Sequence, residues 1–359
     1  MDSVNDFART RRVVGEAVSA RAFPGAVAEV GRTSGPLWSH AVGRLTFAPD
    51  ARAAAPDTIF DLASLTKVIA TTTIGLLQVA RGEITLEERV AARISQWTGA
   101  DREDVRIRDL FEHSSGLPAH RRYFEQIVGR QAYERAIARE HLAYSPRTKS
   151  LYSDPGFMLL GFLLEDSGRD SLDRQFNHWR DAVGIREPLQ FNPPDSWRDR
   201  TAPTEEDPWR GRLIVGEVHD ENAAALGGVA AHAGLFGTAA TVGQAGRWWL
   251  SLLRGQDDAR TGARASTAAM FAECSKVPGS SRAVGWDTML PTSSCGTGMS
   301  ARAIGHTGFT GTTLWIDPER DLYFVLLTNR VHPTRNNDRI QPVRRAFHDA
   351  AVADILELS

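Results

Sequence analysis

Lysine is nearly absent from this chain. Of 42 basic residues 39 are arginine, and the three lysines are Lys67, Lys149 and Lys276. Arginine cannot give up its proton near neutral pH, so base chemistry on a nitrogen falls to these few lysines and the histidines. Cysteine is scarcer still, with only Cys274 and Cys295. Two thiols outside any C-x-x-C or Cys/His spacing exclude a disulfide framework and a cysteine-based metal site, and both are expected to be unpaired. No apolar run reaches the ~18 residues of a membrane-spanning helix, and the N-terminal MDSVNDFARTRRVVGEAVSARAF has no apolar stretch after a basic start. A cytoplasmic location is therefore expected, or a periplasmic or secreted one if a leader was removed. The formal net charge of -2 gives no whole-chain attraction to nucleic acid or an anionic membrane, so neither is expected as a partner. No cofactor is implied, and no His/Asp/Cys group has metal-ligand spacing.

What remains describes a soluble globular protein: 359 residues, 42% hydrophobic and 24% charged, longer than one minimal domain and so suited to two lobes or an insertion. Residues 5–20 carry apolar positions on one helical face and are stopped by Phe23-Pro24-Gly25. Residues 25–32 and 36–44 read as strands about a turn at 33–35. From Ser64 the period changes, with Leu65, Val68, Ile69, Thr72 and Leu76 forming one buried helical stripe. Further helices are predicted at 105–113, 123–142, 155–167 and 240–254, with a long Pro- and Trp-rich loop at 186–211. Strands return at 312–317 and 322–329, and 339–356 closes the chain as an amphipathic helix. The expected fold class is α+β, an antiparallel sheet built from both chain ends and flanked by helices, with a mostly helical insertion. In residue terms this is a sheet domain of 1–75 plus 281–359, an inserted domain of 76–280, and an active site at their interface.

Ser64 and Lys67 stand three apart at the start of a helix, so both side chains project from one face. A helix N-terminus offers free N–H groups and partial positive charge, which favour an oxyanion at Ser64 and are expected to lower the Lys67 pKa. Tyr152 and Asp154 lie just before an apolar helix. Local rules make Asp154 its N-cap with Pro155 at the first position, whereas a phenol beside an ammonium has its pKa lowered and can shuttle protons. His306, Thr307 and Gly308 supply a donor, a hydroxyl and a residue that permits close backbone approach, with the N–H of Phe309 placed to face that of Ser64.

Ser64-x-x-Lys67, Tyr152-Ser153-Asp154 and His306-Thr307-Gly308, in this order, resemble the three motifs of the serine β-lactamase and penicillin-binding protein superfamily. The likeness is to the class C β-lactamase-like branch, with its family VIII carboxylesterases and D-amino-acid peptidases. IRDLFEHSSGLP at 107–118 and the glycine-rich segment at 218–244 extend it. The resemblance implies the β-lactamase/transpeptidase-like fold and a covalent mechanism, in which Ser64 attacks a carbonyl while Lys67 and Tyr152 move protons. It further implies an oxyanion hole made by the N–H groups of Ser64 and Phe309, and substrate binding by Asp154, His306, Thr307, Gly308 and Phe309. Asp154 stands where penicillin-recognising members carry Asn, and His306 where they carry Lys. The expected function is therefore hydrolysis of a small ester, amide or short peptide with weak or no β-lactamase activity. Acyl transfer to a small-molecule acceptor and a non-catalytic penicillin-binding sensor are the alternatives. His219 and Asp220 are read as lining the site or as structural, and the oligomeric state is open.

Overall fold

A computed structural model describes residues 7–186 and 188–358. Among the described residues the strands, in chain order, are β1 (Gly25–Arg32), β2 (Gly35–Gly43), β3 (Phe60–Asp61), β4 (Leu189–Phe191), β5 (Glu206–Asp207), β6 (Arg212–Leu213), β7 (Leu235–Gly237), β8 (Asp287–Thr288), β9 (Ile304–Thr307), β10 (Thr313–Asp317) and β11 (Leu322–Thr328). The helices are α1 (Ala8–Ser19), α2 (Thr72–Ala80), α3 (Ile107–Phe111), α4 (Arg130–Ala138), α5 (Asp154–Gly168), α6 (Leu172–Val183), α7 (Glu221–Ala225), α8 (Ala239–Leu253), α9 (Ala265–Phe271) and α10 (Ile340–Leu358).

The main sheet has the order β2-β1-β11-β10-β9-β8, so both chain ends build it, with β1 and β11 antiparallel neighbours. β11 reads LYFVLLT, and all seven residues are buried. An unbroken apolar run of this kind belongs at the centre of a sheet covered on both faces. One face carries α1 and α10 over Phe23, Trp38, Phe324 and Phe347. The other carries α8 and the larger core that continues into the helical region around Trp97, Phe111, Phe157 and Trp249. A second sheet, β3-β7-β4, lies in that region and holds Phe60 and Asp61 just before Ser64.

The helix expected over 123–142 is only α4, preceded by a single turn at Tyr123–Glu125. Gly129, at φ 81, interrupts the backbone between them, a conformation that glycine adopts without a Cβ penalty. The segment from Ser64 is also less regular than a simple α-helix, since Lys67–Thr71 form a π-helical turn before α2 begins. Helix α6 was not anticipated, although Leu172, Phe176 and Trp179, its buried residues, stand at the i, i+4, i+7 spacing that marks one. The loop at 186–211 contains β4, β5 and a short helical turn at Asp195–Arg200. Cys274 is exposed and Cys295 buried, and both are free thiols. Among the described residues no helix is long and apolar enough to cross a membrane.

Candidate active site

The nucleophile turn is built from β3 outward. The buried Asp61 carboxylate accepts the Ala63 N–H at 2.8 Å and the His219 N–H at 2.6 Å. It thereby fixes Ala63 in the left-handed region at φ 47, which a non-glycine residue seldom occupies. The chain then turns into the helix through Leu65 N–H to Leu62 O, Thr66 N–H to Ala63 O and Lys67 N–H to Ser64 O. The π-helical turn that follows is buried throughout, and such turns recur at functional sites.

Ser64 Oγ accepts from Lys67 Nζ at 3.1 Å and from Tyr152 OH at 2.8 Å. Lys67 also donates to Asp154 Oδ1 at 2.8 Å and to the His232 carbonyl at 3.0 Å. Three acceptors match the three protons of an ammonium. Burial pulls the Lys67 pKa down, but Asp154 and Tyr152 outweigh it and leave it above the ordinary lysine value. Burial raises Asp154, but the adjacent Lys67 charge, together with His120 and His232, outweighs it and holds the Asp154 carboxyl well below the usual carboxylate range. Burial pushes the Tyr152 phenol up despite Lys67. The expectation of lowered Lys67 and Tyr152 pKa values is thus corrected: a helix terminus supplies partial charge, whereas Asp154 supplies a full one at contact distance. Asp154 is also not the cap of α5. Ser153 is, accepting the Gly156 N–H at 3.1 Å, which leaves the Asp154 carboxylate free to face Lys67.

β9 and the turn after it bring up the third motif. His306 is buried, its Nδ1 is 2.8 Å from the Thr307 carbonyl, and its Nε2 has no protein partner. Burial, with Arg282 and Lys67 nearby, holds its pKa well below the histidine value, so the ring is neutral. Gly308 has ordinary φ, but a Cβ on it would lie 2.1 Å from Thr312 Oγ1 and 2.6 Å from the Leu62 carbonyl. It thus packs closely against the nucleophile turn. Thr310 Oγ1 donates to Asp61 O and Thr312 Oγ1 to Leu62 O, tying the two segments together. Neither Ser64 nor Phe309 has an acceptor for its N–H among the described hydrogen bonds. Both residues line one cavity of about 900 Å³, with Tyr152, Asp154, His306, Thr307 and Gly308.

His219 and Asp220 line that cavity and are structural as well. Asp220 caps α7 through the Ala223 N–H at 2.8 Å and bonds His232 Nε2 at 2.9 Å, while His219 stacks on Phe309 with 5.7 Å between ring centroids. Three contributors escaped the sequence reading. His113 accepts the Ser153 N–H at 3.0 Å and packs its ring 4.6 Å from that of Tyr152. Arg282 lies over the other part of the Tyr152 environment, 5.4 Å from the ring centroid. Asp61 is the third. His113 lay in the segment 107–118 and Asp61 in the stretch that leads into Ser64, but neither they nor Arg282 carries a local signature of its role. Among the described residues no group of three or more His, Cys, Asp or Glu is placed to hold a metal ion.

The family described as Beta-lactamase matches residues 10–347. A protein of Escherichia coli K12 named "Putative D-alanyl-D-alanine carboxypeptidase" is 32% identical over 309 residues, covering 77% of this chain and 70% of that protein. Among solved structures, a penicillin-binding protein homologue from Caulobacter crescentus superposes with a TM-score of 0.77 at 18% identity, over 97% of each chain. EstCE1, described as a hydrolase with promiscuous acyltransferase activity, gives a TM-score of 0.74 at 19% identity, over 95% of this chain and 98% of its own.

Proposed function

The chain belongs to the beta-lactamase family, and from that premise we propose that it is a serine hydrolase that cleaves a small ester, amide or short peptide through an acyl-enzyme on Ser64. The observation that carries this reading is the position of Ser64 Oγ, 3.1 Å from Lys67 Nζ and 2.8 Å from Tyr152 OH, on the wall of a cavity.

The resting charges define the proton route. Lys67 is an ammonium and Asp154 a carboxylate at rest, so attack draws on the minor form in which a Lys67 proton sits on Asp154, and the neutral Lys67 of that form accepts the Ser64 proton. Ser64 Oγ bonds to the carbonyl carbon, and the resulting oxyanion is held by the N–H groups of Ser64 and Phe309. As the bond to the leaving group breaks, Tyr152 gives that group a proton and recovers one from Lys67, which recovers its own from Asp154. The acyl-enzyme then faces the starting charges, and water or another acceptor releases the acyl group. A neutral His306 offers no full charge to a substrate carboxylate, which supports the expectation of little β-lactamase activity.

The test is turnover of p-nitrophenyl butyrate, a D-amino-acid amide and a cephalosporin by the protein and by Ser64→Ala, with product analysis in the presence of an added alcohol. Ester or amide turnover that disappears in Ser64→Ala supports the reading, and turnover unchanged in that variant removes it. Transfer to the alcohol outrunning hydrolysis would make the protein an acyltransferase.

A further inference from the structure

Arg344, on α10, is a buried guanidinium with no ion pair among the described residues. Burial, with Arg330 nearby, pushes its pKa down to about 9. Its Nε has no hydrogen-bond partner. Burying a cation without a carboxylate is costly unless strong acceptors compensate. Here the acceptors are backbone carbonyls, since Nη2 donates to Gly308 O at 2.6 Å and to Thr312 O at 3.1 Å.

The Gly308 carbonyl belongs to the peptide group whose N–H is that of Phe309. In a trans peptide the carbonyl and the N–H point in opposite directions within one plane. A charged donor seated on that carbonyl therefore fixes the direction of the Phe309 N–H and draws electron density away from it, which strengthens it as a donor. The next peptide is held in the same manner, by Arg330 Nε on Phe309 O at 2.7 Å.

We infer that Arg344 is a positioning residue for the oxyanion hole: its guanidinium, bonded to Gly308 O, orients and polarises the peptide that presents the Phe309 N–H. This rests on the acyl-enzyme reading above. Arg344 also lines the cavity that holds Ser64, but in this scheme it touches no reacting atom and acts through the peptide.

The test compares Arg344→Met and Arg344→Lys with the unaltered protein. Folded fraction is followed by thermal melting, the number of competent sites by fluorophosphonate labelling of Ser64, and ester kinetics are expressed per labelled site. Losing an entire oxyanion-hole donor costs about 100- to 1,000-fold in kcat, so weakening one is expected to lower kcat in Arg344→Met by about 10- to 100-fold, with KM little changed. Affinity for a boronic acid that mimics the tetrahedral intermediate should fall by a similar factor, and Arg344→Lys should restore part of both. A purely structural role would reduce the labelled fraction and leave kcat per labelled site intact. Should Arg344→Met fail to fold, Arg344→Lys carries the test, because a buried ammonium there titrates below the ordinary lysine range and its activity relative to the unaltered protein should drop between pH 7 and 9. Turnover per labelled site within about twofold of the unaltered protein in the folded variants, with boronate affinity unchanged, overturns the inference. Absence of both turnover and label in the unaltered protein overturns the acyl-enzyme reading itself, and the inference with it.

Discussion

Lys67 Nζ lies 2.8 Å from Asp154 Oδ1, with the lysine side chain fully buried and that of the aspartate 18% exposed. This pair, more than the helix terminus beside Ser64, sets the charge state of the site. Removing one member of a buried pair strands the other.

Asp154→Asn is accordingly expected to destabilise the fold by about 3 kcal/mol near neutral pH. The depressed Asp154 pKa contributes stability that is present above the ordinary carboxylate value of about 4 and is lost as pH falls through the folded value. The raised Lys67 pKa contributes stability present below about 10 and lost as pH climbs through its folded value. The difference between the two proteins should thus be level across neutral pH and shrink at both extremes. Urea unfolding over that range measures it. The variant should also lose at least about tenfold in kcat for want of the proton acceptor.

Tyr152→Phe removes the hydroxyl 2.8 Å from Ser64 Oγ while keeping the ring contact with His113. It should lower kcat by about 100- to 10,000-fold, the usual worth of a positioned acid or base, with a melting temperature close to that of the unaltered protein. Ester kinetics beside a thermal melt would check both halves.

Gly308→Ala places a methyl 2.6 Å from the Leu62 carbonyl, where backbone cannot give way as a side chain can. The expected cost is about 1–3 kcal/mol of stability. Because the collision separates the nucleophile turn from the segment carrying Phe309, kcat should fall as well. Full activity in a stably folded variant would show that this spacing is not needed.

His348, on α10, is fully buried among Trp315, Phe324 and Phe347, and burial pushes its pKa down to about 4. The unfolded chain binds this proton near pH 6.5 and the folded one does not, so stability is present above that value and is lost as pH falls toward 4, by about 3 kcal/mol in all. His348→Gln should have a shallower loss of stability over this window, by about 1.4 kcal/mol per pH unit at most. Denaturation midpoints at pH 7, 5.5 and 4 would reveal the change.

Much of this protein was legible before folding. The strand-forming runs at 25–32 and 322–329 and the stripe from Leu65 to Leu76 encode which faces are buried, because that information is local and periodic. Ser64 and Lys67 meet because three residues make one turn, and Tyr152 and His306 were recognisable from the order of their motifs. Even α6 had its signal in Leu172, Phe176 and Trp179.

Tertiary structure decided what those residues are chemically. The charge on Lys67 comes from Asp154, 87 positions away, and no spacing rule reports a contact at that separation. Local rules point to Asp154 as the cap of α5, whereas in the fold Ser153 caps it and Asp154 pairs with Lys67. His306 is neutral because the surrounding chain removes water from it. The Phe309 N–H takes its direction from Arg344, donated by a helix 36 residues on. Sequence by itself determined the main strands of both chain ends, most of the longer helices and the reactive groups on them. Protonation and donor orientation waited for the fold, because they depend on which charges and carbonyls meet after distant segments have excluded the solvent between them.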